Sequence, residues 1–159
     1  MHALNRGFDE CYKFMGRGGH DYFQLRGVKG PEYAPIYRNK ERIKEGDYEG
    51  YLTTRLTEEA VAFIDRQKQK PFFLYLPLPA PHTPIVPVPP YKDASKINPY
   101  ADFVMQMDGH VGDLLATIKE ADVEETHLVF FPSDNGWSPQ GNLEVLKELG
   151  HAPRSGSPG

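Results

Sequence analysis

Two short apolar runs separated by a long amphipathic helix constrain this chain more than any other feature. The runs are Phe72-Phe73-Leu74-Tyr75-Leu76 and Leu128-Val129-Phe130-Phe131. Each is too short for a buried helix and has the aromatic and branched content of a strand covered on both faces. Between them, Tyr100, Phe103, Val104, Met107, Val111, Leu114, Leu115 and Ile118 keep to one stripe over five helical turns. Asn98 is a good N-cap and Pro99 a good first-turn residue. A second helix precedes the unit, with Leu56, Ala60, Phe63 and Ile64 on one face. Thr54 or Thr57 suits its start, with Glu58 and Glu59 in the first turn. Lys68 and Lys70 suit its end, and Pro71 closes it. A short last helix is expected over Leu143 to Leu149. The order predicts an α/β fold in which Phe72 to Phe131 forms a right-handed parallel crossover. Residues 1–50 have weak periodicity and read as surface segments with short structured pieces.

That topology has a chemical consequence. In a parallel unit the loops after both strands lie on one rim of the sheet, where open α/β sheets bind ligands. His82, in the proline-rich loop Pro77 to Pro90, follows the first run, and Asp134 and Asn135 follow the second. An imidazole, a carboxylate and an amide are thus expected on one edge. Asp134 and Asn135 are oxygen donors suited to Ca²⁺ or Mg²⁺. On spacing alone, an Asx turn ended by Gly136 is the commoner reading. His82 could donate a hydrogen bond to an anion or move a proton, or simply be a solvated loop histidine. His20-Asp21 after a glycine pair fits an anion-binding turn or, more often, a structural loop. Asp108, His110 and Asp113 on the long helix read as a solvated polar face. Cys11 has no basic neighbour in sequence to activate it and reads as a partly buried thiol.

Composition narrows the function further. Hydrophobic residues make up 39% and charged residues 25% of 159, enough for a packed core rather than disorder. The net charge of -4 and the absence of a basic run argue against a nucleic-acid partner. A single cysteine excludes an internal disulfide, and no Cys/His zinc spacing occurs. The longest apolar stretch, Phe72 to Leu78, falls far short of the ~20 residues that span a bilayer. Met1 to Glu10 lacks the apolar core of a signal peptide.

Four stretches, in order, resemble the sulfatase family of the alkaline-phosphatase superfamily. They are Gly7-Phe8-Asp9-Glu10 with Gly19-His20-Asp21-Tyr22-Phe23; Lys70-Pro71-Phe72-Phe73-Leu74-Tyr75; Ala80-Pro81-His82-Thr83-Pro84; and Phe130-Phe131-Pro132-Ser133-Asp134-Asn135-Gly136. Each is weak alone; their order and spacing carry the resemblance. It implies part of an alkaline-phosphatase-like α/β domain, with a mainly parallel sheet flanked by helices, that hydrolyses sulfate esters of small molecules or carbohydrates. It implies a formylglycine nucleophile, made from a Cys/Ser-x-Pro-x-Arg motif, whose hydrated form attacks sulfur, and a divalent cation, usually Ca²⁺, on the sulfate oxygens. Asp134 and Asn135 match the late pair of metal ligands. His82 matches the histidine that holds sulfate or helps the leaving oxygen depart. The resemblance reverses the bland readings of these three residues.

The departures matter as much. No Cys/Ser-x-Pro-x-Arg motif occurs, and Cys11 is followed by Tyr12 and Lys13. The family's early Asp-Asp ligands, its Gly-Lys-Trp-His segment and the lysine that follows the Ser-Asp-Asn-Gly turn have no match. Pro132 stands where a small polar residue is common. The expectation is an internal portion of a catalytic domain over residues 1–151, with an unmatched Pro/Gly/Ser tail over 152–159. It would carry about half an active site, have no nucleophile, and be inactive alone. A phosphodiesterase or phosphonate-ester hydrolase of the same superfamily is the runner-up, and a non-catalytic remnant or binding module is a third reading. Family members are often secreted, periplasmic or lysosomal. The residues themselves leave localisation and oligomeric state open.

Overall fold

The computed structural model describes residues 2–14, 36–43, 52–82, 85–135 and 143–150. Its longest element is the expected amphipathic helix, Pro99–Glu120 (α2). The Asn98 side chain accepts a hydrogen bond from the Ala101 N–H at 2.9 Å, and Pro99 opens the first turn. The cap satisfies one of the donors that a helix start leaves without an intrahelical acceptor. The helix buries a different face from the one that hydropathy suggests. Fully buried are Asp102, Phe103, Gln106 and His110, whereas Val104, Met107, Val111, Leu114 and Ile118 are only half-buried and Leu115 is exposed. His110 is therefore not part of a solvated face; Asp108 and Asp113 are exposed as expected. The physical reason is that these polar groups satisfy specific neighbours, which hydropathy does not register.

The preceding helix, Leu52–Gln67 (α1), packs against α2. It begins before Thr54 and Thr57, so neither caps it. Instead Thr57 donates back to the Thr53 carbonyl at 3.0 Å from inside the helix. Leu52, Leu56, Ala60 and Ile64 face the core. Leu52 and Leu56 join Ile36 in a cluster flanked by Tyr12, Phe14, Ile43, Leu76 and Leu78. Burial of each large aliphatic side chain there contributes about 1.5–3 kcal/mol. Leu143–Glu148 (α3) occurs where the last helix is expected.

The sheet differs from expectation. Tyr12–Phe14 (β1), Ile36–Arg38 (β2) and Glu41–Ile43 (β3) form an antiparallel sheet in the order β1-β2-β3, paired Tyr12 with Arg38 and Arg38 with Glu41. It is built from the segment that sequence periodicity leaves blank. Asn39 turns the β2–β3 hairpin at φ +55, which asparagine tolerates. Asn39 also holds β1: its Oδ1 accepts from the Cys11 N–H at 2.9 Å, and its own N–H donates to the Cys11 carbonyl at 2.7 Å. His20, Asp21, Gly136 and residues 152–159 lie outside the described residues.

The two apolar runs are extended but are not sheet strands, so the parallel crossover expected between Phe72 and Phe131 is not formed among the described residues. Along the first run burial alternates: Phe72, Leu74, Leu76 and Leu78 are half-buried, and Phe73 and Tyr75 point to solvent, 74% and 66% exposed. The second run is bare, with Leu128 at 93% and Phe130 at 81%. A run becomes a strand only when a neighbour takes up its backbone hydrogen bonds, and among the described residues neither run has a strand partner. The runs nonetheless start side by side: the Phe72 and His127 rings are 4.4 Å apart, and Phe63 of α1 meets Phe72 edge-on at 5.6 Å.

Candidate functional site

His82 sits at the end of the first extended run, in a turn in which its N–H donates to the Pro79 carbonyl at 3.1 Å. The side chain is exposed. It is bracketed by two buried residues, Ala80 (6% exposed) and Val88 (9%). The segment after Val88 is tied to α2. Gln106 Oε1 accepts the Val88 N–H at 3.0 Å, and the Asp102 carboxylate accepts the N–H groups of Asp93 and Ser95, each at 2.8 Å. Burial works against the Asp102 charge. Hydrogen bonds from the Ser95 side chain and from the Ser95 and Asp93 backbone, with the nearby Lys96 ammonium, outweigh it and hold the carboxyl below its ordinary value. One turn on from Gln106, the Tyr91 hydroxyl lies against Gly109, where an added Cβ would meet it at 2.0 Å.

Asp134 and Asn135 end the second extended run, and both are exposed. The Ser133 hydroxyl donates to the Asn135 carbonyl at 2.6 Å, which closes the turn. Their donor set, one carboxylate and one amide oxygen, suits a hard cation but supplies only part of the ~6–8 oxygens that Ca²⁺ takes. Among the described residues no cluster of three or more His, Cys, Asp or Glu could hold a metal ion. Two surface hollows of about 440 and 350 Å³ lie elsewhere, beside Arg38–Glu41 and beside Phe8, Phe63 and Phe73. Cys11 is half-buried, its Sγ 3.7 Å from the Asn39 carbonyl, as a structural thiol would be. No helix of the described residues is long and apolar enough to cross a membrane.

Asp102 and Gln106 went unread in the sequence and His110 read as solvated, yet the three form a buried polar series at i, i+4 and i+8 on one face of α2. His110 Nε2 and the Thr54 hydroxyl of α1 share a hydrogen bond of 3.1 Å. Helical spacing of three polar residues was the available signal, hidden because the same spacing also describes a solvated face.

Comparison with known proteins resolves what these residues belong to. The sulfatase family model matches residues 2–156. The chain belongs to the sulfatase family. It is 32% identical over 149 residues to the N-acetylgalactosamine-6-sulfatase of Canis lupus familiaris, covering 86% of this chain and 27% of the relative. It is 35% identical over 111 residues to arylsulfatase H of Homo sapiens, covering 70% and 19%. It is also 31% identical over 150 residues to the uncharacterized sulfatase YdeN of Escherichia coli (strain K12), covering 89% and 25%. The chain thus spans about a fifth to a quarter of the length of these relatives. Membership carries the α/β class of the family; the sheet seen among the described residues is the small antiparallel one.

Proposed function

We propose that this chain is part of a sulfuric ester hydrolase acting on sulfate esters of small molecules or carbohydrates. The observation that carries the reading is the sulfatase match over residues 2–156. Within it, His82, Asp134 and Asn135 stand where the family's motifs carry chemistry. In the whole domain the runs at Phe72 and Leu128 become neighbouring strands of a mainly parallel sheet. The close start of the two runs, Phe72 against His127, supports that arrangement. His82 and the Asp134-Asn135 turn then share one rim.

The chemistry of these residues follows from their donors. The exposed imidazole of His82 donates a hydrogen bond to a sulfate oxygen or a proton to the departing alcohol oxygen. The Asp134 carboxylate and Asn135 amide oxygen would hold a Ca²⁺ or Mg²⁺ ion. When bound, that ion supplies positive charge to offset the charge on the transferring group. Neither group can replace a covalent nucleophile. Cys11, in Cys11-Tyr12-Lys13-Phe14, lacks the proline and arginine of the formylglycine motif. The chain alone therefore turns over no sulfate ester.

The test has two parts. Assayed with an aryl sulfate and Ca²⁺, the purified chain shows no turnover; turnover abolished by Cys11→Ala would overturn this reading of the nucleophile. Titration calorimetry shows weak Ca²⁺ binding at most, and micromolar affinity lost in Asp134→Ala would reveal a more complete site. An in-frame upstream Cys/Ser-x-Pro-x-Arg segment in the genomic DNA supports the full mechanism. A protein carrying it that cleaves phosphonate monoesters and not aryl sulfates would move the assignment to the phosphonate-ester hydrolases.

A further inference from the structure

The segment from Val88 to Ser95 is held more firmly than a proline-rich loop needs to be. Val88, Tyr91, Asp93 and Ser95 all meet α2. The Val88 N–H is taken by Gln106, the Asp93 and Ser95 N–H groups by Asp102, the Tyr91 hydroxyl lies on Gly109, and the Tyr91 ring is 6.1 Å from that of His110. The loop also closes on itself, with Tyr91 and Lys92 N–H groups donating to the Val88 carbonyl at 2.9 and 3.1 Å. Two residues without the freedom of glycine, Asp93 at φ +62 and Lys96 at φ +60, are kept in the left-handed region. Such conformations persist where the surroundings over-determine them.

Gln106 is the unusual member of this set. It is wholly buried, and its Nε2 has no hydrogen-bond partner among the described residues. A buried amide with an unmet donor is unfavourable, and an apolar side chain of the same size would remove that cost. What the apolar side chain would lose is the acceptor for Val88, the buried anchor on one side of the exposed His82. Ala80 is the anchor on the other.

We propose that Gln106 is a positioning residue for His82: its side-chain carbonyl pins Val88 to α2, and with Asp102 it sets where the histidine loop presents its imidazole to a sulfate ester. The ligand in this inference rests on the sulfatase reading; the positioning does not.

The experiment uses the full chain, isotopically labelled for NMR, as wild type, Gln106→Leu and Gln106→Glu. The Leu variant has no acceptor, and the Glu variant restores one. Three quantities are read: amide exchange at Val88, the order of the His82 ring from carbon relaxation, and the shift of the His82 ring signals on titration with inorganic sulfate. Gln106→Leu is expected to speed Val88 exchange by about tenfold while amides at Val111 and Leu114 keep their protection. It lowers His82 ring order and weakens the sulfate response, and Gln106→Glu recovers both. Unchanged Val88 exchange, or faster Val88 exchange with His82 ring order as in wild type, would overturn the proposal. A wild-type His82 ring that ignores sulfate while its order still falls in Gln106→Leu upholds the positioning and counts against the sulfate reading. If Gln106→Leu does not fold, Asp102→Asn gives the same test from the second anchor. There exchange rises at Asp93 or Ser95, and unaltered His82 ring order again overturns the proposal.

Discussion

At the residue scale, Asp102 shows how hydrogen bonds can offset the cost of burying a charge. Its two oxygens each accept a backbone N–H at 2.8 Å, so the charged form is the better-bonded form. The sign of its pH dependence follows. Because the folded carboxyl lies below its ordinary value of 3.8, its contribution to stability is present above that value. It is lost as the pH falls through the lower folded value. Acid should therefore release the 93–95 segment before the helices melt. Urea unfolding of the wild type from pH 7 down to 3 should show a loss on the acid limb, and Asp102→Asn should flatten that limb while lowering stability at neutral pH. Equal pH slopes in the two proteins would mean that Asp102 is not a source of the acid loss. Surface pairs such as Arg66 with Glu10, at 2.9 Å and with both side chains nearly half exposed, contribute far less.

At the element scale, the helices were legible because their signals are local. The Asn98 cap, Pro99 and the period of Phe103, Met107 and Leu114 lie within a few residues of one another, and α2 forms where they place it. The cap carries a definite expectation: Asn98→Ala lowers unfolding stability by about 1 kcal/mol, and Asn98→Asp by much less. Chemical denaturation would check this, and an unchanged midpoint for Asn98→Ala would show that the cap is redundant. Which face of α2 is buried was not legible. Gln106 and His110 are inside because Val88 and Thr54 bring them partners, and those partners are 18 and 56 residues away in sequence. The hairpin Ile36–Ile43 was not legible: residues 1–50 read only as weakly periodic surface segments. Its strands are so short that their pairing, rather than their composition, defines them.

At the scale of the whole molecule, the two apolar runs dominate. Phe73, Tyr75, Leu128, Phe130 and Phe131 are large exposed apolar side chains on backbone that joins no sheet among the described residues. Such surface binds hydrophobic dyes and invites edge pairing. The isolated chain should therefore enhance the fluorescence of anilinonaphthalene sulfonate at neutral pH, and Leu128→Lys with Phe130→Lys should reduce the signal without shifting the melting temperature. Absence of dye binding in the wild type would show that these side chains are covered in solution. The sequence by itself determined the helices, the extended character of both runs, and the motif order that marks a sulfatase. Each of these is written in near neighbours or in their succession along the chain. It also named His82, Asp134 and Asn135 as candidates through that motif order. Only the tertiary structure decided that, among the described residues, the runs join no sheet and the sheet is the antiparallel one around Asn39, and that a polar series on α2 grips the segment from Val88 to Ser95. Strand pairing and burial of polar groups depend on partners distant in sequence, and hydropathy carries no record of which partner a buried amide or carboxylate will find.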